Sequence, residues 1–357
     1  MQRNFFPELS IIVPVLNEAA ELPDLFRTLS AQEGIGFELI LCDGGSTDDT
    51  WRLAAEGAMN CPFNVRSCKT ARGRGEQMNA GAGMADGEIL LFLHADSRFD
   101  DRAALCSAVS AFRERLAESD TQAISARFAL SFRRSENAPS LAYLYYEAKA
   151  RLDRADCIRG DQGFMLSRPF FKQLGGFDTS LPFYEDVRLA SRIKLQGDWL
   201  LLPAGISTSA RRFETEGLTA RQVVNAIIVN NSYAGWHEFF TALPGLYQCH
   251  ADTGRLRLFP FLDGIRTLLA RRSRRWRLAF WRATGRHVAS NIWQIFFWLD
   301  VRRAFRANKG ANEVNPSWLD FYSRYLERFF RNPFLDWATA AAVWIWFRAL
   351  LIKSRYT

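Results

Sequence analysis

The chain has 357 residues, a length typical of one large or two ordinary domains. Hydrophobic residues make up 48% and charged residues 24%, a balance that excludes a wholly disordered chain. Six cysteines with no C-x-x-C pair exclude a disulfide scaffold, and four histidines with no H-E-x-x-H motif argue against a structural zinc site. The N-terminal residues lack the basic and then apolar order of a signal peptide, so we expect a cytoplasmic protein with reduced thiols.

Short apolar runs that alternate with helical patterns dominate the first part of the chain. Residues 9–16 and 37–42 predict buried strands, and each is followed by a polar turn and a helix. Residues 64–70 predict a weaker strand, 78–85 a helix of small residues, and 88–96 a strand that is apolar throughout. Such alternation predicts an α/β fold with a mostly parallel, Rossmann-like sheet and helices on both faces.

Polar side chains follow three of these predicted strands. Asn17 and Glu18 come after the first strand, Asp43 after the second and Asp96 after the fourth. In parallel sheets, ligands bind beyond the carboxyl ends of the strands. Three carboxylates at neighbouring strand ends exceed what helix capping requires, so we predict a ligand site along this edge.

The segment CDGGSTDDT indicates a nucleoside-binding turn. The Asp43 carboxylate can accept hydrogen bonds from a base or ribose, and Gly44 and Gly45 permit close approach of the backbone. No G-x-x-x-x-G-K-[ST] motif is present, which excludes a P-loop. No G-x-G-x-x-G follows the first strand either, which argues against a dinucleotide-binding oxidoreductase.

Arginines are placed where they could contact phosphate. Arg72 and Arg74 precede the small-residue helix, and guanidinium groups beside free N–H groups at a helix start suit a diphosphate. A solvated basic turn explains the same pattern equally well. Arg211 and Arg212 are available for phosphate or for an acidic acceptor.

His94 and Asp96 form a candidate metal site at the end of the fourth strand. Strand alternation sends both side chains to the same side. Mg²⁺ or Mn²⁺ could bind there, with diphosphate oxygens and waters completing the coordination shell. Because one carboxylate makes a weak site, we expect the ion to arrive with the nucleotide.

Acidic residues farther along the chain suggest proton transfer. Glu185 and Asp186 stand directly before a predicted helix, where they could stabilise the helix dipole or accept a proton from an attacking hydroxyl. Asp161 and Gln162 lie in a loop between two glycines, and we expect them to orient the substrate.

The net charge of +8 comes from the C-terminal part of the chain. From residue 255 onward there are 20 Lys or Arg and 6 Asp or Glu, together with 8 of the 11 Trp. No apolar stretch there reaches the ~18 uncharged residues expected of a membrane-spanning helix. Trp and Arg beside short apolar stretches suit an in-plane helix on an anionic membrane. A helical subdomain that buries its aromatic side chains is the alternative.

Taken together, these segments resemble the family 2 glycosyltransferases of the GT-A fold. The matching motifs are IIVPVLNEA, LCDGGSTDDT, GRGEQMNAGA, HAD, GDQGFMLSR and FYED. They run from about residue 9 to 217, which predicts a GT-A domain at 1–217 and a helical basic and aromatic region at 218–357. The spacing is most similar to a bacterial subgroup found near arsenosugar and radical-SAM genes.

The resemblance implies a role for each matching position. Asp186, with Glu185 before it, would be the catalytic base, and Asp96 would bind the metal, with His94 in place of the first Asp of the D-x-D motif. The remaining positions would contact the nucleotide sugar or the acceptor: Pro14, Asn17, Glu18, Asp43, Arg72, Arg74, Gln77, Asp161, Gln162 and Arg212.

The activity implied by the resemblance is transfer of a sugar from a nucleotide diphosphate donor, most often a UDP-sugar, to a hydroxyl. The family inverts the anomeric centre in one displacement and uses Mg²⁺ or Mn²⁺. The basic tail suits a lipid-linked acceptor and peripheral contact at the inner face of the plasma membrane. A nucleotidyltransferase and a non-catalytic membrane-associated scaffold are the alternatives. We expect no nucleic-acid partner, because the acidic first part would repel a phosphate backbone.

Overall fold

A computed structural model describes most of the chain: residues 7–136, 138–180, 184–247, 254–330 and 332–356. The chain forms two compact units. The first consists of Met1–Arg133 and Tyr146–Ser209, and the second of Arg134–Tyr145 and Ala210–Thr357. The domain division at residue 217 stays a prediction.

Seven strands form the sheet of the first unit: β1 (Leu9–Val15), β2 (Phe37–Asp43), β3 (Asn64–Lys69), β4 (Ile89–Phe92), β5 (Ile124–Arg133), β6 (Phe164–Ser167) and β7 (Asp198–Ser209). The helices up to residue 196 are α1 (Leu22–Ser30), α2 (Thr50–Asn60), α3 (Arg74–Met84), α4 (Ala104–Glu118), α5 (Leu141–Lys149), α6 (Arg168–Gln173) and α7 (Glu185–Gln196). Short 3₁₀ turns lie at Ala155–Cys157 and Gly160–Gln162.

The strand order is β3-β2-β1-β4-β6-β5-β7. Every neighbouring pair is parallel except those that involve β6, which runs antiparallel to β4 and β5. Alternate side chains of the central strands enter two separate cores: Ile11 and Val13 belong to one, and Ile12 belongs to the other. A sheet whose strands are apolar on both faces must be covered on both. The expected α/β class, a mostly parallel sheet with helices on both faces, is therefore confirmed.

The boundaries differ from expectation at two elements that carry site residues. β4 ends at Phe92 and not at residue 96, although the Leu93 N–H still donates to Ile12 O over 3.0 Å. The chain then turns, and the Ser97 N–H donates to His94 O over 3.1 Å. Helix α3 begins at Arg74, earlier than the predicted start at residue 78. His94 and Asp96 therefore lie in a turn, where strand alternation does not fix their directions.

The second unit is helical, as expected. Its helices are α8 (Arg211–Glu216), α9 (Leu218–Tyr233), α10 (His237–Leu246), α11 (Leu258–Ala270), α12 (Arg274–Ser290), α13 (Trp293–Arg306), α14 (Ser317–Phe321) and α15 (Pro333–Lys353). A 3₁₀ turn (Ala311–Glu313) and a π-helical turn (Tyr322–Leu326) lie between the last helices. Buried aromatic side chains, among them Trp236, Phe239 and Phe261, form its core.

Helix α15 is longer than the sequence indicated. It has 21 residues, and in the part of the chain that the structure describes it is the one helix long and apolar enough to cross a membrane. Only 22% of its apolar window is buried. The expectation that no tail stretch reaches ~18 uncharged residues still holds, because Asp336, Arg348 and Lys353 lie within this helix. The sequence missed only that the helix extends on both sides of the apolar run.

Candidate active site

The turns after β1 and β2 are bound to each other. Asn17, in the left-handed region at φ 56°, donates its backbone N–H to Ser46 Oγ over 2.9 Å, and its Oδ1 accepts the N–H of Thr47 over 2.8 Å. The Ser46 hydroxyl donates in turn to Asp43 Oδ1 over 2.5 Å. Asp43 is buried, so its carboxylate is held rigidly at the end of β2. These contacts give the two turns one fixed conformation.

Three further predicted positions lie along the same edge of the sheet. The Glu18 N–H donates to Thr50 Oγ1 over 2.8 Å, and half-buried Pro14 lies opposite Cys42 in the β1–β2 register. The amide of Gln77, which is buried on α3, donates to Val15 O over 2.8 Å and to Cys42 O over 2.6 Å. The Gln77 nitrogen is therefore occupied by backbone, which indicates that Gln77 positions the strand ends.

The start of α3 lies close to the start of α7. Arg72 and Arg74 are both exposed, and Arg74 is the first residue of α3. A Cβ at the neighbouring Gly75 would lie 3.5 Å from Glu185 Cβ. Burial and the charge of Asp186 raise the pKa of Glu185, and the charge of Arg74 opposes that shift. The structure therefore brings one predicted phosphate-binding arginine near the acidic pair.

The Asp96 carboxylate is bound to the end of β7. Its Oδ2 accepts the Thr208 hydroxyl over 3.0 Å and the Ser209 N–H over 3.2 Å. Its backbone carbonyl accepts a hydrogen bond from the Arg133 guanidinium over 2.7 Å. Within the residues that the structure describes, Oδ1 makes no hydrogen bond. The half-buried carboxylate thus keeps one oxygen for a ligand.

Gly160 brings two distant motifs together. Its N–H donates to Asp186 Oδ2 over 2.8 Å, and Asp186 Oδ1 accepts the Val187 N–H over 2.7 Å. A Cβ at Gly160 would lie 3.3 Å from Asp186 Oδ2 and 3.4 Å from His94 Nε2. The His94 ring and the Asp186 carboxylate therefore flank the same glycine, and a larger residue there would displace one of them.

Asp161 completes a cluster of three carboxylates. Its Oδ1 is buried and has no hydrogen-bond partner within the described ranges. Burial and the charges of Asp186 and, to a smaller extent, Asp96 together raise its pKa from 3.8 to about 7, against the opposing charge of Arg159. Asp96, Asp161 and Asp186 therefore interact electrostatically at one place.

The donor set at this place suits a hard divalent cation. Asp96 offers one carboxylate oxygen, His94 a ring nitrogen close to Asp186, and Asp161 an unpaired buried oxygen. No group of three or more His, Cys, Asp or Glu side chains among the described residues is arranged to hold a metal ion by itself. A cation that keeps several waters and shares diphosphate oxygens requires fewer protein ligands, as Mg²⁺ does.

Two predicted positions are not seen at this cluster: Gln162 is bound within the first unit, and Arg212 belongs to the second unit. Gln162 is buried, its Oε1 accepts from Arg127 over 3.1 Å, and its Nε2 donates to Cys157 O over 2.7 Å. Arg212 lies in the second unit, on α8, where its Nε is 4.0 Å from Glu216 Oε1. The roles of both in substrate binding stay predictions.

Arg127 is a residue that the sequence analysis missed. It is buried on β5, and its guanidinium donates to Ala150 O, to Leu152 O over 2.9 Å and to Gln162 Oε1. Burial lowers its pKa to about 10, so it remains charged at neutral pH. The bond to Gln162 ties the Gly160–Gln162 turn to β5. An arginine inside the apolar strand ISARFALSF was the available signal.

Replacing Arg127 should destabilise the first unit. Arg127→Met leaves three buried acceptors without a donor, so we expect the free energy of unfolding to fall by about 3–5 kcal/mol in urea titrations. Arg127→Lys, which restores one donor, should cost less. The control is Arg113→Met, which removes an exposed ion pair with Glu8 and should change stability by less than about 1 kcal/mol. Equal losses at both positions would contradict this role.

Asp161 should make stability depend on pH. Between about pH 4 and pH 7 the unfolded chain has released this proton and the folded chain still holds it, so the wild type loses stability as pH rises. Asp161→Asn removes this effect. The free energy of unfolding of the variant minus that of the wild type should rise by about 2–4 kcal/mol across that window and stay level above it. Exposed Asp100→Asn is the control in the same denaturant titrations, and a flat difference for Asp161→Asn would refute the assignment.

Comparison with known proteins agrees with this geometry over part of the chain. Residues 10–175 match the family Glycosyl transferase family 2. A PGL/p-HBAD biosynthesis glycosyltransferase of Mycobacterium tuberculosis is 40% identical over 107 residues, which are 30% of this chain and 41% of that protein. The undecaprenyl-phosphate 4-deoxy-4-formamido-L-arabinose transferase of Klebsiella pneumoniae is 33% identical over 94 residues, 25% of this chain and 29% of that protein.

A solved structure, the mannosyltransferase PcManGT from Pyrobaculum calidifontis in complex with GDP-Man and Mn²⁺, aligns with 96% of this chain and 88% of its own at 18% identity and a TM-score of 0.48. The matched region spans well under half the length of both curated relatives. The family match covers β1 to β4 and continues through the Gly160 turn and α6. Residues 10–175 of this chain are therefore similar to a glycosyl transferase family 2 domain.

Proposed function

We propose that the protein is an inverting, metal-dependent glycosyltransferase. It would move a sugar from a nucleotide diphosphate, a UDP-sugar in our hypothesis, to an acceptor hydroxyl. One observation carries the proposal. Asp186 and His94 flank Gly160, and the charges of Asp186 and Asp96 both act on the neighbouring Asp161. A cluster of carboxylates at the end of a parallel sheet, on motifs far apart in the chain, is what such a reaction requires.

The bound turns after β1 and β2 would receive the nucleoside. Asp43 uses Oδ1 for Ser46, which leaves Oδ2 for a base or ribose donor. Asn17 and Ser46 hold the turns without help from a ligand, so little ordering would accompany binding. Exposed Arg72 and Arg74 are available for the diphosphate oxygens.

Asp96 and His94 would hold the divalent cation, and Asp161 would add its unpaired oxygen. A bound cation supplies positive charge to the leaving diphosphate. The contacts of Asp96 with Thr208 and Ser209 fix the carboxylate before any ligand arrives. Such fixed groups need not reorganise during the reaction.

Asp186 would accept the proton of the acceptor hydroxyl. The N–H groups of Gly160 and Val187 donate to one carboxylate oxygen each, which fixes the orientation of the group. Glu185 has a raised pKa, but its side chain is buried. We therefore assign the role of base to Asp186, whose carboxylate an acceptor can reach more easily. A single displacement needs no second carboxylate as nucleophile, so the anomeric centre would invert.

We infer a lipid-linked acceptor and peripheral contact with the inner face of an anionic membrane. The basic, Trp-rich second unit supports this inference, and the name of the Klebsiella relative refers to an undecaprenyl phosphate. Membership of the subgroup near arsenosugar and radical-SAM genes stays a prediction.

A donor screen tests the proposed activity. Release of nucleoside diphosphate is measured for the wild type and Asp186→Asn with UDP- and GDP-sugars, Mn²⁺ and a mixture of polyprenyl phosphates. Loss of the base should lower kcat by about 10²–10⁴-fold, while donor affinity measured by calorimetry stays within a few fold.

Asp100→Asn, an exposed carboxylate before α4, is the matched control and should retain wild-type turnover. Wild-type turnover in Asp186→Asn would move the base to Glu185 or Asp161. No release from any donor by the wild type, together with no donor binding, would favour the scaffold alternative.

A further inference from the structure

Helix α15 presents a large apolar surface that the second unit does not cover. Four of its side chains, those of Asp336, Ala340, Phe347 and Leu351, are buried along one stripe. Most of the remaining circumference is exposed, with relative accessibilities of 82% for Phe334, 44% for Trp337, 47% for Trp344, 60% for Ile345, 44% for Trp346 and 57% for Ile352. An exposed apolar face of this size marks an interaction surface.

Helix α12 lies against the buried stripe of α15 and carries cations. The two helices approach so closely that a Cβ at Gly285 would lie 1.9 Å from Asp336 O. Trp281, earlier on α12 than Gly285, lies 6.2 Å from Phe347, which is later on α15 than Asp336. The two helices therefore run antiparallel. Arg286 Nε is 3.2 Å from Asp336 Oδ2, and Arg274 and Arg275 at the other end of α12 are exposed.

We propose that the α12–α15 pair binds the surface of an anionic lipid bilayer, with α15 lying in the plane of the interface. The inference deepens the membrane contact of the proposed function and rests on it for its biological role. Charge complementarity identifies the partner, because the residues from 255 onward carry 20 basic and 6 acidic side chains. Three indoles on the exposed face of α15 have the chemistry of the headgroup region, where an amphipathic ring meets both water and hydrocarbon.

The packing of α12 excludes a spanning orientation for α15. A helix that crossed the bilayer would carry its antiparallel neighbour with it. Arg282, whose guanidinium lies 6.0 Å from the Trp337 ring, and the Arg286–Asp336 pair would then enter the hydrocarbon. Charged side chains at that depth are strongly disfavoured. In the plane of the interface, the same arginines reach lipid phosphates while the apolar face of α15 enters the acyl region.

A second copy of the chain fits this face less well than lipid does. A symmetric pairing through α15 would bring Arg348 of both copies, which lies 5.8 Å from the Trp344 ring, to the same apolar interface. Like charges at a buried interface oppose association. Lipid phosphates, in contrast, neutralise them.

The test is flotation of the full-length protein with vesicles of phosphatidylcholine alone or with 30% phosphatidylglycerol. We expect binding to the anionic vesicles that is at least tenfold stronger, and its release by alkaline carbonate. Ile345→Glu should weaken it at least tenfold. The control Leu195→Glu changes an exposed leucine on α7, 85% accessible, and should float like the wild type.

The outcomes separate this inference from the proposed catalytic function. Retention after carbonate would overturn the in-plane orientation, and absence of flotation, or equal weakening by both variants, would overturn the surface itself. A dimer in sedimentation that Ile345→Glu dissociates, without lipid binding by the wild type, would assign the face to a second copy. Release of nucleoside diphosphate with a soluble acceptor should be the same in Ile345→Glu and wild type, so either hypothesis can fail alone.

Discussion

The absence of a side chain at Gly160 is the constraint on which the candidate site depends. The backbone N–H of this glycine binds the Asp186 carboxylate over 2.8 Å, and the space where a Cβ would stand is bounded by Asp186 and by the His94 ring. A Cβ there would lie 3.2–3.4 Å from both groups, so a side chain at this position would crowd the turn after β4 against the start of α7. Buried Arg127 on β5 binds Gln162 in the same turn, so a residue inside the sheet helps to hold the turn that carries Gly160.

Partial burial of carboxylates gives the site its chemistry and destabilises the fold. Asp161 and Glu185 both have raised pKa values because burial and the charge of Asp186 disfavour their ionised forms. Asp186 itself is compensated by two backbone N–H groups. A cation and a diphosphate arriving together would relieve the remaining repulsion, since Asp161 Oδ1 has no partner in the described chain. The arrangement is therefore suited to a reaction in which donor and metal bind jointly.

Local patterns were sufficient for the first four strands, whereas β5, β6 and β7 were not predicted. β1 and β2 lie within a residue of their predicted bounds, because their apolar runs end sharply at Asn17 and Asp43. β4 was predicted too long, since its apolar pattern continues through a turn that only the tertiary contacts reveal. The use of Gln77, Gln162 and Arg127 as internal donors depends on partners distant in the chain, and no local pattern encodes such partners. The length of α15 was missed because the helix begins at Pro333, before the apolar run, and continues to Lys353.

Hydrogen–deuterium exchange tests the central claim, that these turns form one donor site. The protein is labelled alone and with a UDP-sugar and Mn²⁺, and backbone amide protection is followed by mass spectrometry. We expect slower exchange in four separate segments, residues 17–19, 43–50, 94–97 and 159–162, with little change at the start of β7, residues 198–202. Protection confined to one of these segments, or found only elsewhere in the chain at saturating donor, would contradict it.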